Sequence, residues 1–245
     1  MSIGGLHIGT SGWSYDEWRD EFYEGVPKKQ WLEAYTERFD TVESNATFYR
    51  LQSEKTLRRW AERTPDEFVF AAKGNRYVTH TKMLADADET VPRSRDNLAP
   101  LAHKVGAVLW QMPARFQRGF DRLRGFCEVL AREWSEMRHA LEFRHPSWFS
   151  DDVAALLSSH NLANCQSDAP KWPMWEALTT DLVYIRLHGH TRLYASRYSA
   201  ALLDRWATRI HKWLAEGCEV YVYFDNTAEG AAPEDARRLL EKLRE

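Results

Sequence analysis

The sequence predicts an α/β chain folded as a single (β/α)8 TIM-type barrel. Three observations carry that expectation. About eight strand-like segments occur within 245 residues, helical segments alternate with them, and no low-complexity linker or composition break divides the chain. One domain over residues 1–245 is therefore expected, and a chain of this length can bury a sizeable core. A doubly wound open sheet uses the same alternation and is the competing architecture.

The strands are short apolar runs bounded by turn residues. They are read at 6–10 (LHIGT), 41–48 (TVESNATF), 68–74 (FVFAAKG), 106–112 (GAVLWQM), 139–144 (HALEFR), 162–168 (LANCQSD), 182–188 (LVYIRLH) and 219–226 (EVYVYFDN). Helices between them carry their own punctuation. Ser150 is placed to cap a helix whose first turn holds Asp151 and Asp152, where the macrodipole favours carboxylates. In residues 199–217, Leu202, Leu203, Trp206, Ile210, Trp213 and Leu214 form one apolar stripe ending at Gly217. The last helix is expected to begin near Pro233.

Composition excludes several classes. A formal charge of -3 and a pI near 6.3 argue against a surface built to coat a polyanion, so nucleic acid is not indicated by net charge. Cys127, Cys165 and Cys218 are scattered and lack close spacing, as reduced core thiols would be. The first residues show no basic segment followed by an apolar run, and no stretch is apolar enough to span a bilayer. A cytoplasmic location without a membrane partner is the expectation.

Polar residues recur where the strands end. Side chains alternate along a strand, so polar residues two apart at a barrel strand's C-terminal end point into the mouth together. The candidates are Glu43 and Asn45, Lys73 and Asn75, Gln111, Glu142 and Arg144, Asp168, Arg186 and His188, and Asp225 with Asn226. Arg76, in the connection after the third strand, adds a cation. Any one pair could be a structural ion pair, but recurrence on nearly every strand favours an active-site rim.

These residues also carry a resemblance. GTSGWSYDEW at 9–18, VESNATFYR at 42–50, NRYVTH at 75–80, WQMP at 110–113, EFRHPSW at 142–148, SDAP at 167–170, RLHGH at 186–190 and YFDNTAEG at 223–230 resemble the motif series of the YecE-like family, domain of unknown function 72. The resemblance spans nearly the whole chain and implies a TIM-type barrel without assigning an activity. Where that family's last strand usually reads FNN, this chain has Phe224, Asp225 and Asn226, adding a carboxylate. Where VEINSTFY is typical, Ser44 and Ala46 stand at outward positions.

The chemistry expected of such a rim is acid/base work on a small anionic, phosphorylated or sugar-like ligand. Glu142 and Glu43 are the leading acid/base pair, His188 a proton-transfer partner and Asp168 a further acid. Lys73, Arg144 and Arg186 are read as anion clamps, with Asn45, Asn75, Arg76, Gln111, Asp225 and Asn226 around the ligand. Trp13, Trp18, Trp148, Trp172 and Trp175 follow strand ends and are positioned to wall a pocket. No metal site is assigned, although His188 and His190 leave a divalent metal open, and no nucleotide-cofactor fingerprint is present. The connection from Gly74 to Pro92 is read as a lid, and residues 194–199 with the helix start after Gly230 as a phosphate position. The alternative reading is a protein without turnover that binds a metabolite, or grips single-stranded nucleic acid through the mouth's Trp and Arg residues; a third is a scaffold whose mouth residues only stabilise the barrel, which predicts that Glu142 and Arg144 are sealed from solvent.

Overall fold

Eight parallel strands form one sheet whose order, β1-β8-β7-β6-β5-β4-β3-β2, brings first and last together around a barrel. The structure is a computed structural model describing residues 5–244. The leader-free reading of the N-terminus therefore rests partly on Met1–Gly4, outside the described residues. The strands are β1 (Leu6–Thr10), β2 (Thr41–Ser44), β3 (Val69–Lys73), β4 (Val105–Gln111), β5 (Arg138–Glu142), β6 (Ala163–Asp168), β7 (Leu182–Leu187) and β8 (Glu219–Phe224). The helices are α1 (Trp31–Thr36), α2 (Ala46–Tyr49), α3 (Glu54–Glu62), α4 (Ala87–Leu98), α5 (Phe120–Glu133), α6 (Asp151–Ser159), α7 (Ala200–Ala215) and α8 (Ala231–Lys242). The open-sheet alternative is thereby set aside.

The barrel interior is filled by a division of labour between its two halves. β3 to β6 contribute the small residues Ala71, Ala107, Ala140 and Ala163, while β7 and β8 contribute Tyr184, Tyr221 and Tyr223. Large rings from one side occupy the space that small side chains leave on the other. Tyr184 and Tyr221 lie nearly parallel with centroids 6.1 Å apart.

Several strands are shorter than the sequence suggests. β2 stops at Ser44 because Asn45 turns into the helical region (φ -77°, ψ -18°) and begins α2, where a strand to residue 48 was expected. β5 and β8 likewise end at Glu142 and Phe224, just before Arg144 and Asp225. Ser150 holds the position before α6 with extended backbone, but its side chain makes no cap bond there; Arg118 donates to it instead at 3.4 Å. The α7 stripe packs Leu203, Trp206, Ile210 and Trp213 into the core, with Leu202 and Leu214 half-buried, and Gly217 follows at φ 83°. α8 begins at Ala231, two residues before Pro233.

Residues 74–92 are not an open loop. They form a π-type turn at Tyr77–Thr81 and enter α4 at Ala87, anchored by buried Val78, Leu84 and Val91. The connection from β6 to β7 is the one without a helix; it carries Trp172 and Trp175.

The barrel closes at the seam of β1 and β2, where the backbone pairing among the described residues is the bridge Ser11–Glu43 and the bond from the Gly12 amide to the Glu43 carbonyl at 2.7 Å. Gly9 makes that approach feasible. A Cβ there would sit 2.3 Å from the Thr41 carbonyl oxygen and 2.9 Å from the Tyr35 hydroxyl. Gly9→Ala is accordingly expected to cost about 2–3 kcal/mol or more, as overpacking against backbone does. Urea denaturation checks this; a loss below about 0.5 kcal/mol would mean the seam relaxes freely.

Candidate functional site

The alternation that places alanines and tyrosines inside the barrel continues one step higher, to a layer of polar side chains at its C-terminal end. Ser11, Glu43, Lys73, Gln111, Glu142, Ser167, Arg186 and Asp225 all stand two residues beyond an inward-facing position.

Arg186 is the centre. It is fully buried, and every donor of its guanidinium is used within the protein. Nε donates to both Glu43 oxygens (3.2 and 3.0 Å), Nη1 to Glu142 Oε2 (2.9 Å) with His188 Nε2 at 3.3 Å, and Nη2 to Glu43 Oε1 (2.7 Å), Asp225 Oδ2 (3.1 Å) and Ser11 Oγ (3.0 Å). Three carboxylates from β2, β5 and the end of β8 thus share one cation. The expectation that Arg186 clamps an incoming anion is corrected: it has no N–H left to offer.

Glu43 and Glu142 are equally enclosed. Glu43 also accepts from Tyr184 at 2.8 Å, from the interior layer below, and from Ser11. Glu142 accepts from Arg144 Nε at 2.7 Å and Ser167 at 3.1 Å, with His188 Nε2 at 3.4 Å. Burial alone would raise its pKa, but Arg144, Arg186 and His188 together hold it well below the ordinary carboxylate range. Held ionised by these cations, Glu142 is a poor proton acceptor near neutrality, and Glu142 and Glu43, both closed off from solvent, form the floor of the site.

Around this floor sit groups that are less completely enclosed than Arg186, Glu43 and Glu142. Asp225, read as an added carboxylate of unknown orientation, faces inward with His188 Nδ1 2.8 Å from its Oδ2; burial opposes its charge, but Arg186, His188 and Lys73 keep it ionised. Arg144 stacks on the half-buried Trp172 ring at 4.1 Å and gives only Nε to Glu142; neither Nη donates to anything among the described residues. Lys73 lies over the Phe48 ring, its Nζ 4.3 Å from the centroid. Asn45 donates to Ser11 Oγ at 2.9 Å. Gln111 is buried and donates to the Met112 carbonyl at 2.7 Å.

Other candidates fall elsewhere. Asp168 has the opposite phase from Ser167, so it points out of the barrel, accepting from Tyr198 at 2.7 Å and lying 3.0 Å from His190 Nδ1. Asn226 is buried behind the mouth and donates to Asp235 and the Ser196 carbonyl. Trp148 is fully buried against Phe116 and Phe143, and Trp18 is buried with its indole N–H on the Thr227 carbonyl. Trp13 packs on Trp60 and Phe70, and Trp175 stacks on Phe149. Asn75 turns its amide to the Thr47 carbonyl, at the edge of a lateral groove of about 400 Å³, and Arg76 is exposed beside it. The position read for phosphate is filled by the protein's own buried Asp235, which accepts from the Tyr198 amide at 2.9 Å. His188 and His190 face different ways and share no ligand position, and no group of three or more metal-type ligands occurs among the described residues.

Ser11, Tyr15, Ser167 and Tyr184 are site residues that charge-based reading passed over. Strand phase marks Ser167, since Ala163 and Cys165 already face inward. Tyr15, bonded to the Ser11 carbonyl at 2.5 Å, follows from no pattern.

The chain matches the family described as "Protein of unknown function DUF72" over residues 7–245. It is 26% identical to UPF0759 protein YecE of Escherichia coli over 98% of this chain and 93% of that one. UPF0759 protein YunF of Bacillus subtilis is 23% identical, over 97% and 94%. The crystal structure of a DUF72 family protein from Thermotoga maritima superposes with a TM-score of 0.87 at 27% identity, covering 98% of this chain and 99% of that one.

Removing the central cation should be far costlier than removing the rim cation. Arg186→Met leaves three buried carboxylates without their shared partner and is expected to lose about 3–5 kcal/mol or more, against about 1–2 kcal/mol for Arg144→Ala. Equal losses in urea denaturation would remove Arg186 from the centre. Acid sensitivity follows as well. Glu142 and Asp225 have folded pKa values below their unfolded ones, so their stabilisation is complete above about pH 4 and is lost as pH falls below it. Glu142→Gln should make the fall in stability between about pH 5 and pH 3 shallower than in the wild type; an unchanged slope contradicts this.

Proposed function

The chain belongs to the DUF72 family, and from that premise we propose that it is an enzyme working by acid/base chemistry on a small anionic ligand, phosphorylated or sugar-like, at the barrel's C-terminal mouth. One observation carries the reading: above a floor of mutually neutralised charges, Arg144 holds both Nη groups unused, fixed by Trp172 beneath and Glu142 beside it. A guanidinium held flat with free N–H groups is a carboxylate or phosphate reader.

Roles then follow from exposure. Arg144 orients the anion, Trp172 offers a ring to the ligand's body, and Lys73 exchanges protons, while Asp225 stays ionised between Arg186 and His188. Glu43, Glu142 and Arg186 keep these groups in place. Burial, reinforced by Arg186, lowers the Lys73 pKa to about 8, with Glu43, Asp225 and Glu142 opposing, so the amine can give or take a proton near neutral pH.

The single-stranded nucleic acid reading has less support. It needs stacking platforms along the mouth, and of the five tryptophans after strand ends, Trp13, Trp18, Trp148 and Trp175 pack against the protein's own rings or are sealed. No helix among the described residues is long and apolar enough to cross a membrane.

Isothermal titration with inorganic phosphate tests the reading. Arg144→Ala should weaken binding about 10-fold to 100-fold, the worth of charge-assisted hydrogen bonds. Unchanged affinity would sink the proposal.

A further inference from the structure

The chain has nine lysines, and two of them, Lys73 and Lys104, are buried. The fold treats the two differently. Lys104 Nζ donates to the Thr64 carbonyl (2.8 Å), Thr64 Oγ1 (3.2 Å) and the Pro65 carbonyl (2.6 Å), the full set an ammonium requires. Lys73 Nζ donates to no acceptor and forms no salt bridge among the described residues; it rests on the face of Phe48. A structural lysine is satisfied like Lys104. An amine left without partners, at the end of β3 and pointing into the mouth, is arranged to lose its proton and act as a nucleophile.

We infer that Lys73 is an imine-forming lysine, and that the ligand of the mouth is a carbonyl compound, a ketone or aldehyde bearing a carboxylate or phosphate. The inference rests on the reading of the mouth as a site for a small anion. Arg144 would hold the anionic group while the carbonyl meets Lys73. Burial disfavours the ammonium most, with Phe48 covering one side of the amine; Arg186 adds a fixed positive charge in the same sense, and the carboxylates of Glu43, Asp225 and Glu142 oppose it without cancelling it.

The step balances without a cofactor. The neutral amine nitrogen adds to the carbonyl carbon, and as the nitrogen gives up one proton the carbonyl oxygen takes one to become a hydroxyl, giving a carbinolamine. The carbon–oxygen bond then breaks as that oxygen takes a second proton and leaves as water. The nitrogen forms a double bond to carbon and keeps one hydrogen as a protonated iminium. Overall, amine, carbonyl and one proton give iminium and water.

The test is reductive trapping with pyruvate, which carries both a carbonyl and a carboxylate, and sodium borohydride, whose hydride converts the iminium into a stable secondary amine. Peptide mass mapping of the wild-type protein at about pH 7.5 should place the adduct on Lys73 at least about tenfold above any other lysine, because an amine with a lowered pKa is neutral far more often than a surface one. Labelling should rise as pH is raised through about 8. Lys73→Met, checked for an unchanged melting temperature, should lose the selective adduct, and because the map is read on wild-type protein the result stands even where that variant fails to fold. An absent adduct, or one spread evenly over exposed lysines, would overturn the imine. Arg144-dependent phosphate binding persisting in that case would show the anion site intact and the imine alone wrong; its loss as well would overturn both.

Discussion

A single guanidinium inside the barrel sets the terms for the rest of the site. Arg186 joins Glu43 on β2, Glu142 on β5 and Asp225 after β8, so charges from distant parts of the chain meet at one point. Burying four ionised groups is expensive, and such a network is weak evidence for added stability. What it provides is geometry. Each carboxylate is fixed by more than one donor, and the groups resting on this floor, Arg144 through Glu142 and His188 through Asp225, inherit its rigidity. Preorganised charge of this kind is what electrostatic catalysis and anion recognition require.

The interior beneath explains why the floor lies where it does. Tyr184 reaches up to Glu43 and Tyr223 bonds Thr41 at 2.7 Å, so the layer of rings is also the lower hydrogen-bonding partner of the charged layer. The alanines of β3 to β6 leave room for those rings. Changing the site's chemistry from below would therefore require repacking the barrel, whereas the rim above, with Trp172, Tyr15 and Asn45, is supplied by connections.

Much of this was legible in the sequence. The eight strands, their order of appearance and the polar residues at their ends follow from period-two alternation, and Glu43, Lys73, Glu142, Arg144, Arg186, His188 and Asp225 all lie at one end of the barrel. What alternation alone did not decide was phase at a strand's last step. Asp168 is chargeable and draws the eye, yet Ser167 is the residue in step with Ala163 and Cys165. Asn226 and Asp225 pose the same choice, and only the partner Asp235 reveals that Asn226 belongs behind the barrel. Nor does composition distinguish a cation waiting for a ligand from one already surrounded: Arg186 and Arg144 read alike until their hydrogen bonds are counted. Tryptophans after strand ends are ambiguous for a related reason, since those connections fold back onto helices and bury Trp18 and Trp148 completely.

The seam between β1 and β2 has a thermodynamic consequence. The other seven strand junctions are paired ladders, that of β3 and β4 with a register shift at Phe70–Ala71, while this one is held by an isolated bridge at Glu43 and a few bonds around it. Local opening of the barrel would start where the fewest backbone bonds must break, and here that place coincides with the charged floor. Breathing of the fold and disassembly of the site are then one event. A molecule seated across the mouth would oppose both, slowing amide hydrogen exchange in β1 and β2 in proportion to its occupancy. A ligand could thus be recognised by the protection it confers on this seam, even before any reaction is known.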